Sequence, residues 1–73
     1  MDGIYVWEDN TDGQRFILKG FLKEESFAWH AKIVDNTGAE RWTEQFATPS
    51  KARAALVNRV PDEARFMKGV QGP

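Results

Sequence analysis

The chain has 73 residues, enough for one small domain with a thin core. It has no cysteine for disulfides or cysteine-bound zinc, and its single histidine, His30, cannot form a histidine cluster around a metal. The 10 basic and 11 acidic residues disfavour a strongly electrostatic nucleic-acid binder, and no apolar run reaches the roughly 18 residues of a membrane span. We therefore expect a cytoplasmic monomer, one domain over residues 1–73, with no cofactor, metal or membrane segment.

The first half of the chain is typical of antiparallel hairpins. Residues 4–7 and 15–22 are rich in β-branched and aromatic side chains, and the turn sequence DNTDG separates them. Residues 27–34 and 40–46 alternate between apolar and polar around a second turn sequence, DNTG. Gly20 predicts a bulge or a bend in the second strand. The alternation places Phe27, Trp29, Ala31 and Ile33 on one face, with Trp42 and Phe46 beside them.

The period becomes helical after Phe46. Thr48 is a good N-cap and Pro49 suits the first helical position, while Pro61 should end the helix near Arg59. Residues 61–68 are compatible with a further short helix, and residues 70–73 are expected to form a flexible tail. The predicted class is α+β: a small antiparallel sheet of about four strands, β-β-β-β-α, with one covering C-terminal helix. The candidate core is Ile4 or Tyr5, Val6 or Trp7, Phe16, Leu18, Trp29, Ile33, Trp42, Phe46, Ala52, Ala55 and Leu56.

A near-repeat links the two turns: VWEDNTDGQRF begins at Val6 and KIVDNTGAERW begins at Lys32. A calcium loop of the EF-hand type needs glycine at its sixth position and glutamate at its twelfth. Counted from Asp9, glycine comes at the fifth position and Gly20 occupies the twelfth. We therefore interpret both copies as hairpin loops and predict no metal site.

The sequence gives no catalytic constellation. A nucleophile and base would require His30 beside a serine or threonine and an orienting acid, which the spacing does not indicate. Phosphate-binding glycine motifs are absent from the sequence. We predict that the protein is not an enzyme and has no catalytic residues.

One candidate binding surface is the sheet face that the helix leaves open. If Trp29 and Ile33 point inward, polar and basic side chains point outward and could contact DNA. They are Lys19, His30, Lys32, Arg41 and Thr43. Residues 27–56, with a hairpin followed by a threonine-capped, alanine-rich helix, resemble the plant AP2 domain and the arm-binding domain of phage-type integrases. That resemblance implies a three-stranded sheet that reads the DNA major groove.

The other candidate surface is the first hairpin, which is apolar on both sides. Its aromatic residues, together with the acids near its tip, would suit a basic patch on a protein partner. The predicted protein-binding residues are Tyr5, Trp7, Glu8, Asp9, Asp12 and Phe21. Which sheet face is exposed, and whether residues 61–68 cover this hairpin, stay open at this point.

In length, lack of cysteine and aromatic-acidic make-up, the chain resembles the small bacteriophage-encoded regulators that bind host RNA polymerase. The resemblance concerns the general character of the whole chain, and no residue of that family is carried over. It implies binding to an RNA polymerase subunit, loss of σ-dependent initiation and, in some cases, altered termination. Between the two candidates, the near-zero net charge favours the protein partner over DNA.

Overall fold

The computed structural model describes residues 3–69, which form one antiparallel sheet and one helix. The elements follow in the order β1 (Gly3–Thr11), β2 (Gln14–Glu25), β3 (Ala28–Asp35), β4 (Glu40–Phe46), α1 (Pro49–Arg59) and β5 (Arg65–Lys68). The strand order across the sheet is β4-β3-β2-β1-β5. The predicted α+β class is confirmed, and the sheet has a fifth strand in addition to the expected four. The predicted tail at 70–73 lies outside the described residues.

The segment after the helix forms a strand, so the alternative of a second short helix over residues 61–68 is wrong. Ala64 N–H donates to the Pro61 carbonyl (3.1 Å) in a turn that redirects the chain towards β1. β5 then pairs antiparallel with β1 from Val6↔Arg65 to Gly3↔Lys68. The Phe66 ring lies 4.9 Å from that of Tyr5. These partners are distant in sequence, so local helix signals did not reveal them.

The helix begins and ends where the sequence predicts. The Thr48 hydroxyl accepts a hydrogen bond from Lys51 N–H (3.3 Å), and Pro49 occupies the first turn. Val60 has extended backbone geometry just before Pro61, as the steric effect of a following proline requires. Ala52 and Leu56 are completely buried against the sheet. The helix is thus held by its cap and by a small apolar contact face.

One face of the sheet, which we call the helix face, packs on α1. Leu18, Ala31 and Ile33 form the buried cluster with Ala52 and Leu56. The expected aromatic residues Trp29, Trp42 and Phe46 pack around this cluster. Because side chains alternate along a strand, the residues between them point to the opposite face, which we call the second face. Ile4 and Phe21 are buried there, at 5% and 3% exposure.

Gly20 is neither a bulge nor a bend. It pairs regularly with Tyr5 on one side and Ile33 on the other. A Cβ atom at this position would lie 3.0 Å from Leu56 Cδ1 and 3.3 Å from the Trp7 ring. The glycine therefore permits close approach of the helix and of Trp7 to β2.

The irregularity in the sheet lies elsewhere, between Ile33 and Val34 opposite β4. Ile33 pairs with Trp42 and Val34 pairs with Glu40, so Arg41 is the extra residue of a bulge. Phe27 also departs from its expected place, because β3 begins at Ala28 and Phe27 belongs to the turn before it.

Candidate protein-binding surface

The two Asp-Asn-Thr sequences lie at two hairpin ends on the same side of the sheet. Residues 9–11 are still the paired end of β1, and the first turn consists of Asp12 and Gly13 alone, whereas residues 36–38 form the second turn after β3 ends at Asp35. In the first, Asp12 and Gly13 both have positive φ, and Thr11 Oγ1 donates to Asp9 Oδ2 (3.0 Å). In the second, Gly38 has positive φ, and Asn36 Oδ1 accepts a hydrogen bond from Ile17 N–H (3.3 Å). The second loop is therefore tied to β2. The predicted turn is confirmed in the second copy, whereas in the first copy it shrinks to Asp12 and Gly13 because β1 and β2 stay paired up to Thr11 and Gln14.

The second loop is organised by one almost fully buried carboxylate, that of Asp35. Its Oδ1 accepts hydrogen bonds from Thr37 N–H (2.8 Å), the Thr37 hydroxyl and Ala39 N–H (3.1 Å). Its Oδ2 accepts from Arg41 Nε at 2.7 Å. The Thr37 hydroxyl and then the Arg41 guanidinium hold the pKa of Asp35 well below its ordinary value. These hydrogen bonds explain the conformation of the second loop without a functional role for it.

Arg41 does not lie with the other proposed DNA-contacting residues, because the bulge turns it to the helix face. Its guanidinium carbon lies 4.6 Å from the centre of the Phe16 ring while its Nε contacts Asp35. Arg59 makes a similar contact with Trp42 at 4.3 Å. The expected outward direction of Arg41 is thus wrong, since simple alternation does not hold across a bulge.

The other four proposed DNA-contacting residues do share the second face. Lys19 pairs with Val34, Lys32 with Thr43, and His30 with Gln45 across neighbouring strands. Lys32 also lies 3.7 Å from Glu40 in an ion pair. The second face thus carries a polar, locally basic area beside the buried Phe21.

The proposed protein-binding aromatic residues do not form one surface. Tyr5 and Trp7 are half-buried on the helix face, where they pack against the core cluster. Phe21 lies on the second face with 3% exposure, so its ring is not available to a partner. The first hairpin is apolar on both sides because apolar side chains of this hairpin are buried on each face of the sheet. The sequence left open which face would be covered.

The proposed acids do lie together, along the part of β1 that approaches the first turn. Glu8 is exposed and lies 3.5 Å from Arg15, Asp9 is half-buried, and Asp12 is exposed in the turn. This part of β1 is also an open edge. β5 pairs only with Gly3–Val6, so within residues 3–69 the following residues 7–11 pair only with β2.

A shallow depression of about 380 Å³ lies where β5 leaves β1. Val6, Trp7 and Ile17 are its apolar lining residues, while Glu8, Glu63 and Arg65 supply charge; Trp7 and Glu8 were predicted as binding residues. Sequence reasoning missed four lining residues as candidate binding residues: Val6, Ile17, Glu63 and Arg65. No local signal could have found them, because the depression exists only through the pairing of β5 with β1.

Within residues 3–69, no group of three or more histidine, aspartate or glutamate side chains is placed to hold a metal ion. The helix found in this range is too short and too polar to cross a bilayer.

Comparison of the chain with protein-family models, with curated proteins and with solved structures finds no match.

Proposed function

We propose that this protein is a non-enzymatic regulator that binds bacterial RNA polymerase and thereby inhibits σ-dependent initiation, with altered termination as an accompanying effect. The observation that carries the protein-binding part of this proposal is the open, acidic edge of β1 beside the depression at Val6 and Ile17.

An open strand edge offers backbone N–H and C=O groups to an extended segment of another protein. At β1 this edge begins immediately after Val6, where the pairing with β5 stops. The neighbouring depression can receive one apolar side chain of such a segment against Val6 and Ile17. Backbone pairing supplies affinity and the depression supplies selectivity.

The charges around this edge favour a basic partner surface. Four acids lie along it or line the depression: Glu8, Asp9, Asp12 and Glu63. Three bases lie nearby: Arg15, which pairs with Glu8, Lys19, the cross-strand partner of Val6, and Arg65. Because the whole chain has a net charge of −1, this end is more acidic than the rest of the molecule. Such acids mainly direct the approach of a basic surface.

RNA polymerase is proposed as the partner because of the resemblance to small phage-encoded regulators. A module of this size without a catalytic set acts stoichiometrically, by covering or repositioning part of its target. The surface of the molecule is large enough for such an interface, since a standard interface needs roughly 800 Å² from each partner.

The test is run-off transcription from a σ-dependent promoter with increasing protein, together with gel filtration of the mixture. We expect inhibition at about equimolar protein, and we expect the double variant Glu8→Lys/Asp9→Lys to lose most of it. Glu44→Lys, an exposed charge reversal on the opposite edge strand β4, is the matched control. Unchanged transcription at large molar excess, with no complex, would reject the partner. Inhibition that survives the double variant would reject the β1 edge as the contact.

A second candidate function is DNA binding through the second face, favoured by the observation that Lys19, His30, Lys32 and Thr43 share it. Here Lys19→Ala and Lys32→Ala should each weaken duplex binding and reduce the salt slope by about one phosphate contact. Fluorescence anisotropy with a labelled duplex between low and physiological salt measures both effects. Arg41→Ala would not test DNA binding, because the Arg41 side chain contacts Asp35 and does not lie on the second face. No binding at low salt would reject this candidate.

A further inference from the structure

The turn between β2 and β3 contains an unfavourable residue. Ser26 and Phe27 are its two central residues, and their φ angles are 52° and 62°. Two-residue hairpin turns with positive φ at both positions favour asparagine and glycine, which tolerate the left-handed region. A bulky phenylalanine in this region is an outlier that costs free energy.

The Phe27 side chain makes no buried contact that would offset this free-energy cost. Its exposure is 104%, whereas the next most exposed large apolar side chains, Val57, Phe66 and Met67, lie between 42% and 46%. The ring thus contributes no burial to offset its backbone conformation. Folding alone would favour a glycine or a polar residue here.

The hairpin that carries Phe27 is long and well supported. β2 continues to Glu25, past Gly20 where its pairing with the described part of β1 stops. Close to the turn, Trp29 lies opposite Glu24 in β2 and pairs with Phe46 in β4, and both rings pack against the core cluster. The fold therefore holds the exposed ring on a rigid stem, which lowers the entropy lost when it is bound.

We propose that Phe27 is the anchor of a protein-binding site and inserts into an apolar pocket with a basic rim on a partner protein. The exposed acids Glu24 and Glu25 immediately precede the turn, and they outnumber the one nearby base, Lys23, which lies 3.5 Å from Glu25; they supply the charge complementary to that rim. They also disfavour a phosphate-rich surface or a second copy of this chain, since like charges would face each other. This inference shares with the proposed function only the premise that the molecule binds a protein. The two surfaces are separate, because the hairpin tip and the acidic β1 edge lie at opposite ends of β2.

The first measurement separates folding from binding. Phe27→Gly should raise the melting temperature by a few degrees, because glycine removes the strain and no burial is lost. Phe27→Asn, which also tolerates positive φ, should be at least as stable as the parent. A clear fall in melting temperature in both variants would show that Phe27 serves folding and would overturn the proposal.

The second measurement uses RNA polymerase holoenzyme as the probe. Phe27→Gly should raise the Kd at least about tenfold, as loss of an anchoring aromatic does. Phe27→Trp should retain affinity, and Val57→Ser on the helix should leave it unchanged. Tight binding by the parent and equally by Phe27→Gly would overturn the role of Phe27 while leaving the proposed function intact.

If the parent does not bind the polymerase, the proposed partner fails and a photo-crosslinking residue placed at position 27 decides the anchor separately. A crosslink from position 27 but not from position 57, to a protein whose purified form binds Phe27→Gly at least tenfold more weakly, supports the anchor. Absence of any position-specific crosslink in bacterial cells overturns it.

Discussion

At the scale of single residues, the Asp-Asn-Thr repeat shows that identical sequences can make different numbers of hydrogen bonds. Asp9 accepts one hydrogen bond from Thr11 on the exposed edge. Asp35 accepts four, from two residues of its loop backbone, from a hydroxyl and from Arg41. Sequence reasoning predicted both turns but placed Arg41 on the outward face, because neither the bulge nor the burial of the Asp35 carboxylate can be seen in a local pattern.

Asp35 should make the stability of the protein sensitive to acid. Its folded pKa lies below the unfolded value of about 3.9, so its contribution is complete above that pH and is lost as the pH falls below it. Urea unfolding between pH 7 and pH 2 should show that Asp35→Asn is destabilised at neutral pH and loses less stability on acidification than the parent.

Asp9→Asn is the matched control for this experiment, since Asp9 holds the same place in the other copy of the repeat. It should lower the stability at neutral pH less than Asp35→Asn does, because the Asp9 carboxylate accepts a single hydrogen bond, from Thr11. Parallel acid profiles for the parent and Asp35→Asn would contradict the role assigned to the Asp35 network.

At the scale of elements, the helix is the part that local chemistry determines most completely. Thr48→Ala should lower the free energy of unfolding by about 0.5–2 kcal/mol, because Lys51 N–H loses its acceptor. Chemical denaturation of the two proteins measures the difference. Thr48→Asp should restore most of the loss, since its carboxylate can accept the same bond. Equal stability of Thr48→Ala and the parent would show that the cap contributes little.

The strands show where local reasoning stops. The alternation in β3 correctly placed Trp29, Ala31 and Ile33 against the helix. It failed for Phe27, because the two-residue turn with positive φ ends at Phe27, one residue later than the apolar pattern indicates. β5 was missed because its four residues are all exposed and its structure comes from β1. The depression beside β5 was missed for the same reason.

At the scale of the whole molecule, the order of strands predicts which backbone groups are most protected. β2 and β3 have neighbours on both sides, whereas β4 and β5 are edges. Amide hydrogen exchange should therefore be slowest at residues 18–20 and 29–33, which are paired on both sides, faster in β4, and fastest among the strands in β5. NMR detection resolves these groups individually. Slower exchange in β5 than in β3 would contradict this order.

The pairing of the first strand with the last also has a consequence during synthesis. Val6 and Arg65 are partners across the β1–β5 ladder, yet the rest of the sheet and the helix lie between them in the chain. At typical elongation rates of about 5–20 residues per second, β1 waits several seconds for β5 to be made. Throughout that interval its whole outer edge is open to other nascent chains. Glu8 and Asp9, which attract a basic partner in the finished protein, would during this time repel the strand edges of sister copies on the same message.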